Sequence, residues 1–420
     1  MTTRFAASPL GIFLPRHAQK FVEEALADTR VVLVNGARQC GKSTLVRCIG
    51  RSRGAAWNSL DNTESRLAAQ RDPSGFVAQP GPLIIDEVQR APELLLSIKE
   101  IVDADGTPGQ FLLTGSARVM ALRSVPDALP GRMETIELWP LAQGEIDGAP
   151  DGFVDAVFRE GPDVQHYSDE SRAGYMERIV RGGFPESLGR TSKRRSRFFN
   201  SYVADLINRD VSELAEIHRA PQMHALTQLL AARSGQLLNL RSLGTELGLT
   251  HPTVQRYVGL LEEVFLIKRI PAWSRNISSR AVSMPKVIMV DSGIAAKLCG
   301  LDAHALGRVG DVAGPLLEGF VASEIARQLT WCDEEVDLFH YRTRDQVEVD
   351  IVLQNRRRQV VAIEVKAANT VRGDDFTGLQ HLHDRIGDDL IAGIVLYTGT
   401  RTLPFGPKFR AMPISALWEL

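Results

Sequence analysis

Residues 31–46 read VVLVNGARQCGKSTLV. An apolar, β-branched run precedes the pattern G-x-x-x-x-G-K-[ST] at residues 36–43, and Thr44 with an apolar helix start follows it. Glycines in such a loop let backbone amides curl around phosphate oxygens at a helix N-terminus. We therefore expect a strand, a phosphate-binding loop and a helix in that order, within an α/β fold.

The loop is expected to hold a nucleotide by its phosphates. In this pattern Lys42 reaches the outer phosphates, and the hydroxyl of Ser43 is a ligand of Mg²⁺. The predicted cofactors are ATP and Mg²⁺. The residues expected to bind the nucleotide are Gly36, Ala37, Arg38, Gln39, Cys40, Gly41, Lys42, Ser43 and Thr44.

A second apolar run, at residues 82–85, ends in two adjacent carboxylates, Asp86 and Glu87. Asp86 is placed to hold the Mg²⁺ through water, and Glu87 is placed to polarise the water that attacks the terminal phosphate. This pair predicts hydrolysis as well as binding. The alternative is an ordinary solvated strand terminus.

Two further candidates for the catalytic site come later in the chain. The strand-like run at residues 110–116 ends in hydroxyls, and Thr114 or Ser116 is a candidate sensor of the γ-phosphate or the attacking water, although Thr-Gly-Ser is also an ordinary turn. Arg132 follows Leu-Pro-Gly and is a candidate arginine finger, acting in its own subunit or in a neighbouring one. The alternative for Arg132 is a surface arginine.

The ordered set of motifs resembles the prokaryotic AAA-type ATPases of the archaeal-ATPase group, and the resemblance covers nearly the whole chain. The matching blocks are GARQCGKSTL, SLDN, LIIDEVQRAPELLLSIKEIVD, FLLTGSA, LPGR, ELWPL, RGGFPE, YVADLINRDV, MPKVIMVDSGIA, YRTRDQVEVDIVL and VVAIEVKAA. In that group an AAA core precedes a C-terminal domain of unknown function. The resemblance implies an ATPase and a homo-oligomeric ring, often a hexamer.

Residues 142–210 have helical spacing of apolar positions and are predicted to form a helical lid over the nucleotide. The sequence GGFPE breaks this region, and Arg181 just before it is a candidate second sensor. Residues 190–197 carry five basic side chains and no acid. This run indicates either a contact with a phosphate backbone or simply a solvated helix start.

Residues 211–275 are predicted to form a winged helix. A short helix ends at a glycine turn near Gly248, and Thr250 begins a second helix with Val254, Tyr257, Leu260 and Leu261 on one face. In a DNA-binding protein of this kind the exposed side chains of that helix, which are His251, Thr253, Gln255 and Arg256, enter the major groove. The alternative is a packing or protein-contact module, and the acidic pair Glu262-Glu263 has the wrong charge for DNA.

Residues 276–420 are predicted to form a restriction-endonuclease-like α/β domain. Antiparallel strands at 339–343 and 347–353 and a third at 360–366 place Glu348 beside Asp350 and Glu364 beside Lys366. This arrangement resembles the PD-(D/E)xK nuclease fold, in which two acids bind Mg²⁺ and the lysine steadies the attacking water. The candidate nuclease site is Glu318, Asp350, Glu364 and Lys366; the alternative is an inherited fold that no longer cuts DNA.

Composition favours a folded, soluble protein. The chain has 420 residues, 44% of them apolar, with 49 basic and 51 acidic side chains, so a nucleic-acid site has to be a local basic patch. No apolar stretch approaches a membrane helix, and the start lacks the apolar core of a secretory signal. Four cysteines form no close CxxC pair. These features predict a cytoplasmic protein.

The combined prediction is an α/β P-loop AAA-type ATPase that acts on DNA, either by remodelling it or as an ATP-coupled nuclease. The alternatives are a regulatory or interaction ATPase with an inactive nuclease-like platform, and an ATP-gated transcription regulator. The predicted units are an N-terminal arm at 1–22, the ATPase core at 23–141, the lid at 142–210, the winged helix at 211–275 and the nuclease-like domain at 276–420.

Overall fold

A five-stranded parallel sheet forms the first part of the chain in the computed structural model, which describes residues 14–116, 129–148, 150–211, 220–276, 280, 283–308 and 310–420. Its strands are β1 (Val31–Asn35), β2 (Ala56–Ser59), β3 (Leu83–Asp86), β4 (Phe111–Gly115) and β5 (Met133–Glu137). The strand order is β2-β3-β4-β1-β5, with every neighbouring pair parallel. β4 therefore lies between β1 and β3, where the sequence predicted the sensor strand.

Helices cover both faces of this sheet. They are α1 (Ala18–Asp28), α2 (Lys42–Ser52), α3 (Thr63–Arg71), α4 (Pro73–Val77) and α5 (Leu94–Ala104). Along β1, Val32 and Val34 belong to one buried cluster, whereas Val31 and Leu33 belong to another. Because successive residues of a strand face opposite sides, the sheet is buried on both faces, and the predicted α/β class is confirmed.

The N-terminal boundary of the core differs from the prediction. Residues 18–22 were assigned to an arm, but they form the first turns of α1. Ala18 and Val22 are buried in the same cluster as Val32. The core therefore begins no later than Ala18, because these side chains cover the sheet. Residues 1–13 of the predicted arm lie outside the described residues.

A helical region follows the parallel sheet. It contains α6 (Gln143–Asp147), α7 (Phe153–Glu160), α8 (Arg172–Arg181), α9 (Ser192–Asp205), a π-helical continuation (Leu206–Val211) and α10 (Ala220–Ala232). The start of α7 packs toward the end of the chain, since the Gly152 amide donates to the Leu420 carbonyl and the Val154 amide donates to Gln328. This part of the predicted lid is thus tied to the C-terminal domain.

A helix-turn-helix and a two-stranded hairpin come next. The helices are α11 (Leu240–Leu247) and α12 (His251–Glu263), and the antiparallel hairpin pairs β6 (Ile267–Ile270) with β7 (Lys286–Met289). Two more helices, α13 (Ser292–Leu298) and α14 (Ala303–Arg308), follow. The predicted boundary between residues 275 and 276 falls inside this hairpin. It is wrong, because strands that share ladder hydrogen bonds belong to one unit.

The C-terminal domain is a second, mixed sheet with helices. It begins with α15 (Gly310–Gln328) and continues with β8 (Val336–Arg342), β9 (Glu348–Asn355), β10 (Val360–Lys366), α16 (Thr377–Ile386), β11 (Leu390–Tyr397), β12 (Leu403–Pro404), β13 (Phe409–Pro413) and α17 (Ala416–Glu419). The order is β12-β13-β11-β10-β9-β8. The antiparallel pairing of β8 with β9 and of β9 with β10 confirms the three predicted strands.

A search of the described residues for a helix long and apolar enough to cross a membrane finds none.

Candidate functional site

The phosphate-binding loop lies between β1 and α2, as the sequence predicted. Gly36 is required there, because a Cβ atom at this position would lie 2.0 Å from the carbonyl oxygen of Leu138. Gln39 and Gly41 have φ angles of +61° and +107°, which curl the backbone before α2 begins at Lys42. The loop amides therefore converge on the N-terminus of a helix, which is the arrangement that binds phosphate.

The side chain of Lys42 is folded onto the loop itself. Its ammonium donates to the carbonyl oxygens of Gly36 and Ala37 at 3.0 and 2.9 Å, and the residue is 3% exposed. These bonds hold a buried positive charge at the mouth of the loop. An ammonium with three donors is well suited to pair with phosphate oxygens from this position.

Asp86 is the centre of a small hydrogen-bond network. The hydroxyl of Ser43 donates to its Oδ1 atom at 2.8 Å, and that of Thr114 donates to the same atom at 2.7 Å. Ser43 and Asp86 thus supply adjacent oxygen atoms, and oxygen is the ligand type that Mg²⁺ prefers. The donor set fits Mg²⁺, and these two residues are the ones that would hold it.

Glu87 lies beside this network in a left-handed backbone conformation, with a φ angle of +62°. Its carboxylate accepts hydrogen bonds from the Ser116 hydroxyl at 2.9 Å and from the side-chain amide of Gln89. Burial acts to raise the pKa of Glu87, but the Lys42 cation and these two hydrogen bonds outweigh burial and lower it. The carboxylate is therefore held ionised and fixed in direction.

Thr114 and Ser116 both belong to the site, in different roles. Thr114 is fully buried, donates to Asp86 and accepts a 3.0 Å hydrogen bond from the amide of Glu87. Ser116 touches Glu87, and the Gln89 amide also donates to Ser116 at 2.8 Å. The sequence indicated the two hydroxyls but not Gln89. Its position two residues after Glu87, in a 3₁₀ turn, was the available signal.

Distant parts of the chain contact the loop from outside. The hydroxyl of Tyr202, on α9, donates to the carbonyl oxygen of Arg38 at 3.2 Å, and the Arg38 guanidinium pairs with Asp210 at 2.9 Å. Arg16 donates to the carbonyl oxygen of Cys40 at 2.9 Å. The sequence analysis assigned no role to Tyr202, Asp210 or Arg16. Local spacing could not identify them, because they lie 24 to 172 residues away from their partners.

The structure does not bring Arg132 to this site. It directly precedes β5, whose first residue pairs with Val31 at the start of β1, whereas the loop follows the end of β1. Five residues of strand separate the two ends, about 16 Å at 3.3 Å per residue. Arg132 pairs instead with Asp103. The prediction of a finger in its own subunit is therefore wrong.

Arg181, the candidate second sensor, points into the helical region that follows the parallel sheet. Its guanidinium donates to Gln143 at 2.5 Å, and burial lowers its pKa with help from the nearby Arg178 cation.

Two of the five basic residues of 190–197 are in ion pairs: Arg190 pairs with Glu186, and the buried Arg195 pairs with Glu177. The other three basic residues, which are Lys193, Arg194 and Arg197, are exposed on α9.

Three of the four side chains predicted to be exposed on the second helix of the helix-turn-helix are exposed. Within α12, Val254 and Tyr257 are buried, while His251, Gln255 and Arg256 are exposed on the outer side. Thr253 is half-buried, and its hydroxyl is hydrogen-bonded to that of Thr250.

Glu262, near the end of α12, does not face outward: it is 9% exposed and accepts a 2.8 Å hydrogen bond from Arg269. The acidic end of the helix is therefore partly neutralised within the hairpin.

The C-terminal candidate residues do lie together, but around a cation that the sequence analysis missed. Lys286 of β7 is 2% exposed, and its ammonium lies 2.5 Å from Glu318, 3.0 Å from Glu348 and 3.2 Å from Asp350. Next to it Lys366 pairs with Glu364 at 2.9 Å. These residues do not fit a divalent metal, because an ammonium occupies the point where their oxygens converge. Among the described residues no group of three His, Cys, Asp or Glu side chains is arranged to hold a metal ion.

Three family models match successive parts of the chain. Residues 28–147 match the model of a family described as an AAA domain. Residues 172–305 and 313–417 match two domains of unknown function, DUF8612 and DUF4143. The first part of the chain is therefore an AAA-type ATPase domain, and the C-terminal domain is of the DUF4143 type. The DUF8612 match, residues 172–305, contains both strands of the β6–β7 hairpin.

Proteins similar to the chain include two relatives and three solved structures. Uncharacterized proteins of Mycobacterium tuberculosis and Mycobacterium bovis are each 28% identical over 361 residues, covering 84% of this chain and 74% of theirs. RuvB of Thermotoga maritima, a Holliday junction branch migration motor, is 21% identical with a TM-score of 0.30, over 62% of this chain and 91% of its own. A variant of the same RuvB with one substitution has a TM-score of 0.29 at 21% identity, over 60% and 89%. PCH-2 of C. elegans has a TM-score of 0.20 at 13% identity, over 59% and 64%.

Proposed function

We propose that the chain hydrolyses ATP at the loop between β1 and α2 and uses the reaction to act on DNA. One observation carries the hydrolytic part of the proposal. Ser43 and Thr114 both donate to Asp86, and the ionised Glu87 is fixed beside them. Oxygen ligands for the metal and a base for the attacking water therefore come from adjacent residues, as hydrolysis requires.

Each residue then has one task. The loop amides and the Lys42 ammonium bind the phosphates, and Ser43 and Asp86 would hold Mg²⁺. When bound, Mg²⁺ neutralises charge on the phosphate oxygens. Glu87 orients the water and accepts its proton, while Gln89 and Ser116 fix the direction of the carboxylate. Thr114 joins Asp86 to the backbone of Glu87, which keeps the metal ligand and the base in register.

Steady-state ATP hydrolysis and binding of a fluorescent ATP analogue, measured on the same variants, test this assignment. Lys42→Ala is expected to lose binding. Glu87→Gln is expected to keep binding and to lose at least about 100-fold in turnover, a typical contribution of a general base. The matched control is Glu100→Gln, which changes an exposed glutamate of α5. Turnover by Glu87→Gln within a few-fold of the parent would remove Glu87 from the mechanism.

The proposal of a DNA substrate rests on the outer face of α12. His251, Gln255 and Arg256 are exposed there, and Arg269 pairs with the glutamate that would otherwise repel phosphates. Binding of fluorescent double-stranded DNA is expected at about 50 mM salt and is expected to weaken steeply by 200 mM. Arg256→Ala should weaken it, while Arg159→Ala, at an exposed arginine of α7, should not.

The outcome separates this proposal from its alternatives. A defined footprint that Arg256→Ala abolishes would make the chain an ATP-gated transcription regulator. ATP turnover without any DNA binding at low salt would favour a regulatory or interaction ATPase and would contradict action on DNA. A ring, as the AAA resemblance implies, is tested by sedimentation of Glu87→Gln with ATP, which is expected to sediment as a larger species than the nucleotide-free chain.

A further inference from the structure

We infer that Lys286 is the built-in cation of the C-terminal acid cluster, Glu318, Glu348 and Asp350, and that it replaces a divalent metal there. The ammonium makes the cluster a joint between the β6–β7 hairpin and the C-terminal domain. On this inference the domain does not cut DNA by metal chemistry at Asp350. The inference does not depend on ATP hydrolysis at the distant loop.

Contact geometry is the first argument. A divalent ion binds carboxylate oxygens at about 2.0–2.6 Å and has to sit where those oxygens converge. The Lys286 Nζ atom is at that point, 2.5 to 3.2 Å from one oxygen of each of the three acids. A lysine and a metal ion cannot share this position, because both are cations and the space is filled.

Charge is the second argument. Taking several carboxylates out of water is costly unless a cation lies among them. Burial and the neighbouring Asp350 raise the pKa of Glu318 to about 8 even though Lys286 opposes this shift. Burial acts to lower the pKa of Lys286, but the same three acids outweigh burial and raise it, so the lysine stays charged. The Lys286 ammonium therefore offsets part of the negative charge of the cluster, and the raised pKa of Glu318 favours its neutral form near pH 7, which relieves more of it.

Backbone fixation is the third argument. β7 is bonded on both edges at Lys286, which pairs with Ile270 of β6 and forms a bridge with Leu237. The turn at Gly235 covers Glu318 closely: a Cβ there would lie 3.2 Å from the Glu318 carboxyl carbon. The paired backbone therefore fixes the point from which the Lys286 side chain reaches the acids.

A second contact joins the same two units nearby. The amide of Trp273, which follows β6, donates to the carbonyl oxygen of His340 on β8 at 2.6 Å, and the His340 amide donates to Pro271 at 3.0 Å. The hairpin is thus held to the C-terminal sheet by backbone bonds at one point and by the Lys286 ammonium at another. The buried lysine acts as part of this docking surface.

Binding of Mn²⁺ to the full-length chain without nucleotide tests the inference. Ser43→Ala/Asp86→Asn is the background, so that the loop contributes no site, and free Mn²⁺ is followed by electron paramagnetic resonance. On this background the chain and its Asp350→Asn variant are expected to bind the same amount of Mn²⁺. Binding that Asp350→Asn abolishes would overturn the inference, and this comparison leaves Lys286 in place.

Removing the lysine should create the missing site. On the same background, Lys286→Met is expected to bind one additional Mn²⁺ per chain, with a dissociation constant at least tenfold lower than that of the background chain. Adding Asp350→Asn to Lys286→Met should remove this binding again. Lys297→Met, on α13, is the matched control. A folded Lys286→Met chain that gains no Mn²⁺ would show that the ammonium does not occupy a cation position. Mn²⁺-dependent DNA cleavage lost in Asp350→Asn would also overturn the inference.

Discussion

The hydroxyl of Tyr202 donates a 3.2 Å hydrogen bond to the carbonyl oxygen of Arg38, so helix α9 touches the backbone of the phosphate-binding loop. Tyr202 is 6% exposed and packs against Phe184, with ring centroids 4.8 Å apart. Arg38 is further held by Asp210. Helix α9 therefore contacts the loop although Tyr202 and Arg38 lie 164 residues apart in sequence.

Tyr202→Phe tests this contact while keeping the aromatic packing. A neutral hydrogen bond contributes about 1 kcal/mol, so loss of the loop restraint is expected to weaken ATP binding about fivefold. The measurement is titration with a fluorescent ATP analogue. Tyr167→Phe is the control, since that tyrosine is exposed and bonds to Asp169. Equal affinities for both variants would mean that the bond does not restrain the loop.

Thr114→Val is expected to slow turnover about tenfold, the equivalent of ~1.4 kcal/mol in the barrier, with little change in the KM for ATP. Valine has the shape of threonine but leaves the Asp86 carboxylate and the Glu87 amide without their shared partner. Steady-state kinetics measure the effect. The control is Thr107→Val, at an exposed threonine before β4. A kcat within twofold of the parent at unchanged stability contradicts the role given to Thr114.

Arg132→Ala is expected to keep ATP turnover within about twofold. Its guanidinium pairs with Asp103 at the end of the sheet away from the loop, and an exposed pair of this kind contributes about 0–1 kcal/mol to stability. Turnover and thermal stability of the variant are measured at a concentration where the chain assembles. A tenfold loss of turnover would instead indicate that Arg132 reaches the site of a neighbouring subunit.

His340 makes stability depend on pH. Burial, and next the Lys286 cation, lower the pKa of His340 to about 4, below its ordinary value of 6.5. Between these values the unfolded chain binds a proton that the folded chain does not, so this contribution to stability is lost as the pH falls from about 6.5 toward 4. At pH 5 the loss is about 2 kcal/mol.

The pH effect is checked by thermal unfolding of the parent and of His340→Gln at pH 7.5 and 5.0. Glutamine can still donate to the carbonyl oxygen of Met284, the partner of His340 Nε2. The variant is expected to lose less stability on acidification than the parent. An identical loss for both chains would assign the acid sensitivity to other groups.

Spacing along the sequence predicted which residues meet at the phosphate-binding loop, but not the distant side chains that contact them. The loop, Asp86, Glu87 and Thr114 were predicted because each directly follows an apolar strand, and the ends of parallel strands meet at one edge of a sheet. Gln89 follows Glu87 closely but has no strand pattern of its own. The in-subunit role of Arg132 failed for a related reason: an arginine before a strand lies at the opposite edge.

The C-terminal acid cluster was likewise predicted only in part. Alternation along β9 and β10 predicted that Glu348 and Asp350 share a face, as do Glu364 and Lys366, and the strands are paired as expected. Lys286 lies 64 residues before Asp350, on a strand to which the sequence analysis gave no role in the cluster. No periodicity relates the two, so the cation at the centre of the cluster was not predictable.

Local periodicity was enough to predict the parallel α/β core, its phosphate-binding loop and the polar residues at strand ends, because strand and helix periods are local properties. Which distant side chains complete each site depends on tertiary packing. Tyr202 and Asp210 reach the loop, and Lys286 fills the acid cluster, because packing of separate helices and strands brings together charges and hydrogen-bonding groups that no local period connects.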